Sequence, residues 1–354
     1  MIKINLKAHY LTKSSQIFNQ YCLNKCICQK ELQIIYGMKM IDGDFLEKYF
    51  DILLRLKAVI IADKIYSIGN LFYDIDYITL IFLGHGITYI KSYLYKYYIT
   101  PQKYNKILLP PSDLFIGLAL KAGWKNKDII KIGYPKWDNY QTFIKKETYS
   151  NNKERSIFLM FTWREVKKNK TVSDFYYNNL YNILNDRKIN NELYANNIKM
   201  FFCYHHTLRN KTKIKIFNEN NIVLINQTDI STLIKNSSLI ITDFSSILFD
   251  AIVQRKPTIL YIPDGLDPNL KNIYRKGYYE TINNIKKKKI YLYEVFFNLD
   301  QAINKIIYYI RNNFSLEKEK LNFYKKFKLE FKNNTKKFIE YIITLKWGLG
   351  IGDW

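Results

Sequence analysis

The stretch Ser237–Asp264, SSLIITDFSSILFDAIVQRKPTILYIPD, leaves a chain of this kind few folds to choose from. An apolar run too short for a helix (Leu239, Ile240, Ile241) meets a turn rich in hydroxyl and acid groups (Thr242, Asp243, Ser245, Ser246). An apolar helix follows, from about Ile247 to Gln254. After Lys256-Pro257 a second apolar strand runs from Thr258 to Ile262. Strand, turn, helix and strand in that order make one unit of a parallel sheet, because parallel neighbours need a crossover to bring the chain back.

In open α/β sheets ligands collect at the carboxyl ends of strands. A helix starting there adds unpaired N–H groups and the positive end of its dipole. With the hydroxyls of Thr242, Ser245 and Ser246 at the same place, the turn suits an anion, and a phosphate above others. The competing reading is plain helix capping by the same residue types. Asp243, next to the strand end, is suited to orienting the loop.

The rest of the chain carries the same rhythm. Short apolar segments at Leu32–Tyr36, Ala58–Ala62 and Tyr77–Leu83 alternate with a helical pattern around Phe45–Leu56. Ile78–Leu83 runs into Gly84-His85-Gly86, whose glycines allow a sharp turn and close approach of a ligand, so that His85 is displayed at a strand end. Pro110-Pro111-Ser112-Asp113 opens a helix with Ser112 as N-cap and Gly123 as its stop. The polar run Tyr140–Arg155 marks a domain boundary near residue 150. Beyond it, Ser156–Phe161 delivers Thr162-Trp163-Arg164, where an arginine has the fork geometry for phosphate. Lys199–Cys203 delivers Tyr204, His205, His206 and Arg209 to the same edge. Arg275-Lys276-Gly277-Tyr278-Tyr279 reads as a basic, glycine-hinged loop. The tail from about Leu299 to Leu345 reads as mostly amphipathic helix with its lysines on the polar side.

With 354 residues and 48% hydrophobic content, general disorder is excluded and two domains fit. No apolar run approaches the roughly eighteen residues of a membrane span. The N-terminus lacks a long apolar signal-peptide core, which makes the cytoplasm the expected location. Lys plus Arg exceed Asp plus Glu by 55 to 31, a net charge of +24, which favours anionic membranes, nucleic acids or phosphate-rich substrates as partners. The charge is scattered among abundant Asn, Ile and Tyr instead of forming a stripe, and no nucleic-acid motif is present, so nucleic acid is not expected. The mixed Tyr and Lys stretch Tyr89–Tyr104 suits a membrane surface or a polyanion, or a solvated helix with inward tyrosines. Cys22, Cys26 and Cys28 lack a fourth ligand at zinc spacing, and adjacent histidines diverge on a strand, so no metal is expected.

These segments, in this order, resemble the teichoic-acid CDP-glycerol glycerophosphotransferase family. The resemblance rests on five blocks: Gly84-His85-Gly86-Ile87-Thr88 with Lys91, LLPPSDLF at Leu108–Phe115, Gly133-Tyr134-Pro135 with Asp138, FTWR at Phe161–Arg164, and ITDFSSILFDAIVQRKPTILY. The chain departs from the family pattern at Tyr204-His205-His206-Thr207, where an arginine and the proline of a His-Pro pair are replaced.

The resemblance implies a GT-B fold, two Rossmann-like domains facing across a cleft. Residues 1–150 would form the acceptor side, 151–320 the nucleotide side, and 321–354 a helical tail packing back on the first. It implies transfer of glycerol phosphate from CDP-glycerol to a glycan or lipid-linked acceptor at the inner face of the membrane, with release of CMP and no cofactor. His85 becomes the candidate base. His206, Arg164, Thr242, Asp243, Ser245, Ser246 and Asp250 become the donor side, and Gly84, Gly86 and Lys91 the acceptor side. A GT-B enzyme using CDP-ribitol or a nucleotide sugar for capsule or lipooligosaccharide fits the same turn.

Overall fold

The computed structural model describes residues 58–61, 79–82, 105–134, 137–138, 155–162, 164, 166–172, 174–203, 221–225, 230–288, 292–329, 333–334, 336–337 and 340–341. The segments around Leu32–Tyr36, Phe45–Leu56 and Tyr89–Tyr104 and the Cys22–Cys28 cluster lie outside them. The chain divides into two compact units, one of Met1–Lys146 with Phe327–Trp354, the other of Glu147–Lys326.

In the first unit, β1 (Ala58–Ile61), β2 (Thr79–Phe82) and β3 (Asn105–Leu108) form a parallel sheet in the order β1-β2-β3. Helix α1 (Asp113–Lys121) follows β3 and buries Phe115 and Ala119. Gly123, at φ 103°, supplies the left-handed step that stops it. Ser112 takes the N-cap position, but its side chain makes no capping bond; only its carbonyl accepts, from Phe115 and Ile116. The Gly133-Tyr134 segment is fixed by Asn334, whose Oδ1 accepts from the Gly133 N–H at 3.1 Å and whose Nδ2 donates to the Tyr134 carbonyl at 3.3 Å.

The second unit is wound about one six-stranded sheet. In chain order it contains β4 (Ser156–Met160), α2 (Asp174–Asn185), α3 (Arg187–Ala195), β5 (Lys199–Cys203), β6 (Ile222–Leu224), α4 (Ile230–Asn236), β7 (Leu239–Thr242), α5 (Ile247–Val253) and β8 (Thr258–Tyr261). It continues through α6 (Leu270–Ile273), α7 (Lys276–Lys286), β9 (Val295–Phe296), α8 (Leu299–Arg311) and α9 (Lys318–Lys326). The strand order is β6-β5-β4-β7-β8-β9 and every pairing is parallel. Counted from β4 as the first strand, this is 3-2-1-4-5-6, the doubly wound order whose direction of winding reverses between the first and fourth strands. Here that point lies between β4 and β7.

Both faces of the sheet are covered, so the central strands are apolar throughout. Alternate residues divide between the faces. Ile157, Leu159, Met200, Phe202, Leu239 and Ile241 pack with α2, α3 and α8, while Phe158, Met160, Cys203 and Ile240 pack with α4 and α5. Full burial of such side chains contributes roughly 1.5–3 kcal/mol each, which outweighs local propensity in holding the strands.

Two expectations are corrected. Residues 276–286 are helical, not a loop. Tyr278, Ile282 and Ile285, at helical spacing, are buried and outweigh the cost of Gly277 in the first turn. The tail carries helices α8 and α9, with Asn313 and Phe314 at positive φ just after α8. Not all its lysines are on the polar side, however. Lys320 of α9 is 1% exposed, donating to the Thr258 carbonyl and pairing with Glu294, which also pairs with Lys305 at 2.8 Å.

Candidate functional site

The ends of β4, β7 and β8 meet at the winding reversal, and buried polar side chains tie them together. Thr242, the last residue of β7, donates its hydroxyl to the Met160 carbonyl of β4 at 2.7 Å and has no exposed surface. Asp243 follows, with both carboxylate oxygens accepting from the Thr162 N–H at 3.0 Å. The segment after β4 thus holds the turn after β7 through a charge-assisted bond.

Arg164 occupies the centre. Its Nη1 donates to Asp243 Oδ2 at 2.5 Å and to the Thr162 carbonyl at 2.8 Å. Its other edge forks onto Asp264, Nε to Oδ1 at 3.3 Å and Nη2 to Oδ2 at 2.7 Å. Asp264 stands just past β8, in the 3-10 turn Pro263–Leu266, and Oδ1 also accepts from the Tyr274 hydroxyl at 2.9 Å. The guanidinium lies over the Tyr176 ring, 4.0 Å from its centroid. All three charged side chains have no exposed surface.

Two carboxylates about one guanidinium leave the buried group one negative charge in excess. Burial acts against the charge on Arg164, but Asp264, Tyr176, Tyr278 and Asp243 together outweigh it, so its pKa is raised and it stays protonated. Burial is also the main influence on Asp264 and lifts its pKa above the usual carboxylate range, despite attraction to Arg164 and the bonds it accepts from Arg164 and Tyr274. The tyrosines around it, Tyr176 and Tyr278, are pushed up by burial as well.

The turn continues into α5. Phe244 packs its ring on Tyr278 with centroids 5.1 Å apart. Ser245 is buried and Ser246 partly exposed; Ser246 stands at the N-cap of α5 without a side-chain capping bond. Asp250 lies within α5, every residue of which is buried.

Of the residues singled out in the sequence, Arg164, Thr242, Asp243, Ser245 and Ser246 thus stand at the winding reversal between β4 and β7, and Asp250 lies in the helix that follows. Arg164 had been expected on a phosphate, and its guanidinium is placed between two carboxylates. His85, Gly84, Gly86, Lys91 and His206 lie outside the described residues. Asp264, Tyr274, Tyr176 and Tyr278 had not been singled out. For Asp264 the signal was present, because ILYIPD repeats the pattern of LIITD, an apolar strand leading into an aspartate. Among the described residues, no group of three or more His, Cys, Asp or Glu side chains is arranged to hold a metal ion.

A family model described as CDP-Glycerol:Poly(glycerophosphate) glycerophosphotransferase matches residues 116–343. The minor teichoic acid biosynthesis protein GgaB of Bacillus subtilis is 27% identical over 276 residues, which are 73% of this chain and 28% of that protein. The teichoic acid poly(glycerol phosphate) polymerase of Bacillus spizizenii is 24% identical over 172 residues, 48% of this chain and 41% of that one. The match therefore spans less than half the length of each of these curated relatives. Among solved structures, the wall teichoic acid polymerase TagF aligns over 77% of this chain and 70% of its own, with a TM-score of 0.50 and 17% identity. That likeness shows the fold, a GT-B-like α/β architecture.

Proposed function

This chain belongs to the CDP-glycerol:poly(glycerophosphate) glycerophosphotransferase family, and from that premise we propose that it transfers glycerol phosphate, or a related alditol phosphate, from a cytidine diphosphate donor to a hydroxyl of a teichoic-acid-like acceptor. The observation that carries this reading is the position of Asp243-Phe244-Ser245-Ser246, at the winding reversal of the sheet. Nucleotides bind in the crevice at that point of doubly wound folds.

The acceptor oxygen attacks the β-phosphorus and forms a new P–O bond. The bond from that phosphorus to the bridging oxygen breaks, and CMP departs with the bonding pair. His85 takes the acceptor proton, since an imidazole titrates near neutrality. Gly84 and Gly86 leave room for the substrate, and Lys91 stands by on the acceptor side. His206, Ser245 and Ser246 donate to the diphosphate as charge builds on it. Thr242 and Asp243 keep the turn in place, Arg164 enters through Asp243, and Asp250 serves the ribose side.

In the same reading residues 151–320 hold the nucleotide, residues 1–150 receive a glycan or lipid-linked acceptor, and residues 321–354 pack against the latter. The protein works on the cytoplasmic side, in peripheral contact with an anionic membrane.

Thermal unfolding with CMP, CDP-glycerol, CDP-ribitol, UDP and UDP-glucose tests the donor, because a ligand bound by the folded state alone raises Tm by mass action. Stabilisation by the cytidine compounds is expected, and the better alditol identifies the group transferred. Stabilisation by the uridine compounds alone would move the protein to the sugar transferases. His85→Ala is expected to abolish turnover and leave CDP-glycerol affinity within about twofold; loss of that affinity would remove His85 as the base.

A further inference from the structure

We infer that Asp264, steadied by Tyr274, is a positioning residue for the donor's diphosphate, acting through Arg164 and Asp243 on the turn at residues 243–246. The inference rests on the donor reading above and extends it to a side chain on a third strand end.

A fork pairs best with a carboxylate through two parallel N–H groups. Arg164 gives that two-bond pairing to Asp264 and only Nη1 to Asp243. Asp243 is thereby left to accept from the Thr162 N–H through both oxygens. Without the charge on Asp264, the best remaining partner for this buried guanidinium is Asp243. A fork turned onto Asp243 competes with the Thr162 N–H and shifts the residue that leads directly into Phe244-Ser245-Ser246. The geometry of the turn is set by how Arg164 divides its bonds, and Asp264 decides that division.

Asp264 is itself well held. The Tyr274 hydroxyl donates to Oδ1 at 2.9 Å, and Lys286 Nζ donates to the neighbouring Gly265 carbonyl at 2.6 Å. A Cβ added to Gly265 would overlap the Phe297 ring, so the 3-10 turn is seated closely against that side chain. Tyr274 also packs on Tyr278, with centroids 4.8 Å apart, and Tyr278 packs on Phe244 in the turn. Two routes, one polar and one aromatic, therefore run from Asp264 and Tyr274 to the same four residues.

The test compares two ligands by calorimetry on the full chain: CDP-glycerol, which carries the diphosphate, and cytidine, which does not. Asp264→Asn is expected to weaken CDP-glycerol by about tenfold, the scale of one hydrogen bond to a charged group, and to leave cytidine within about twofold. Tyr274→Phe, which removes one bond and keeps the ring, is expected to give the same selectivity at about threefold. It decides the matter where Asp264→Asn does not fold. Equal losses for both ligands, or no loss for CDP-glycerol, would overturn the inference and leave Asp264 a structural residue. Ser245→Ala with Ser246→Ala is the control on the underlying reading. If that double variant binds CDP-glycerol as tightly as the parent, the donor does not sit on the turn and the premise fails. If it binds weakly while Asp264→Asn and Tyr274→Phe bind normally, only the positioning role fails.

Discussion

Arg164 is the residue on which this site depends, and its chemistry sets a strict requirement. A buried cation between Asp243 and Asp264 must satisfy two carboxylates and the Thr162 carbonyl at once, which takes a planar group with several fixed donors. Lysine has the charge but not the fork. Arg164→Lys is expected to lower stability by about 3–5 kcal/mol in urea unfolding, because one carboxylate is left without its partner in the interior. A loss below about 1 kcal/mol would show that water or rearrangement readily replaces the fork. The place of this arginine at the end of β4 was legible, but its pairing with two carboxylates was not, since the same fork geometry suits a phosphate. ILYIPD marks Asp264 as a strand-end aspartate, but nothing local marks it as the arginine's partner, because pairing across strand ends depends on the order of strands in the sheet.

At the level of elements, the strands were the most legible part. Ser156–Met160, Lys199–Cys203, Leu239–Thr242 and Thr258–Tyr261 are each buried or mostly buried, and short apolar runs of that length have few alternatives. Helix α7 was misread because its opening residues, Arg275-Lys276-Gly277, suggest a loop, while the apolar spacing of Tyr278, Ile282 and Ile285 suggests a helix. Burial of the aromatic and aliphatic face decides between them. Lys320 on α9 was hidden for a related reason: lysine is rarely inside, and nothing local marks Glu294 as its partner. Burial, opposed by attraction to Glu294, lowers its pKa from 10.5 to about 8. Between those values the unfolded chain holds the proton that the folded protein has released. Stability from this group therefore rises as pH climbs from about 8 towards 10.5 and falls as pH drops back through 8. Relative to Lys320→Met, the parent is expected to gain about 3 kcal/mol over that interval in urea titrations, the equivalent of the shift. Parallel pH profiles for the two proteins would refute the assignment.

For the whole molecule, the charge of +24 is the property that acts at a distance. Among the described residues, no helix is long and apolar enough to cross a membrane. In the proposed peripheral contact, surface charge contributes roughly 1 kcal/mol for each Lys or Arg near an anionic leaflet and less as salt rises. Flotation with vesicles containing anionic lipid is expected at low salt and is expected to be lost at high salt. Equal behaviour with neutral vesicles would remove the peripheral attachment from the proposed function.

The winding reversal has a consequence for how the protein comes to be active. Thr242 and Met160 are bonded across 82 positions of sequence, and Arg164 and Asp264 across 100. Contacts between such distant partners carry a loop-closure cost that must be met before they stabilise anything, and they form late when a chain gathers. Neither half of the sheet contains the reversal, since β4 opens one wing and β7 the other. On the proposed donor reading, nucleotide binding would arise only when the two wings join, and recovery of CDP-glycerol binding during refolding would time that closing step.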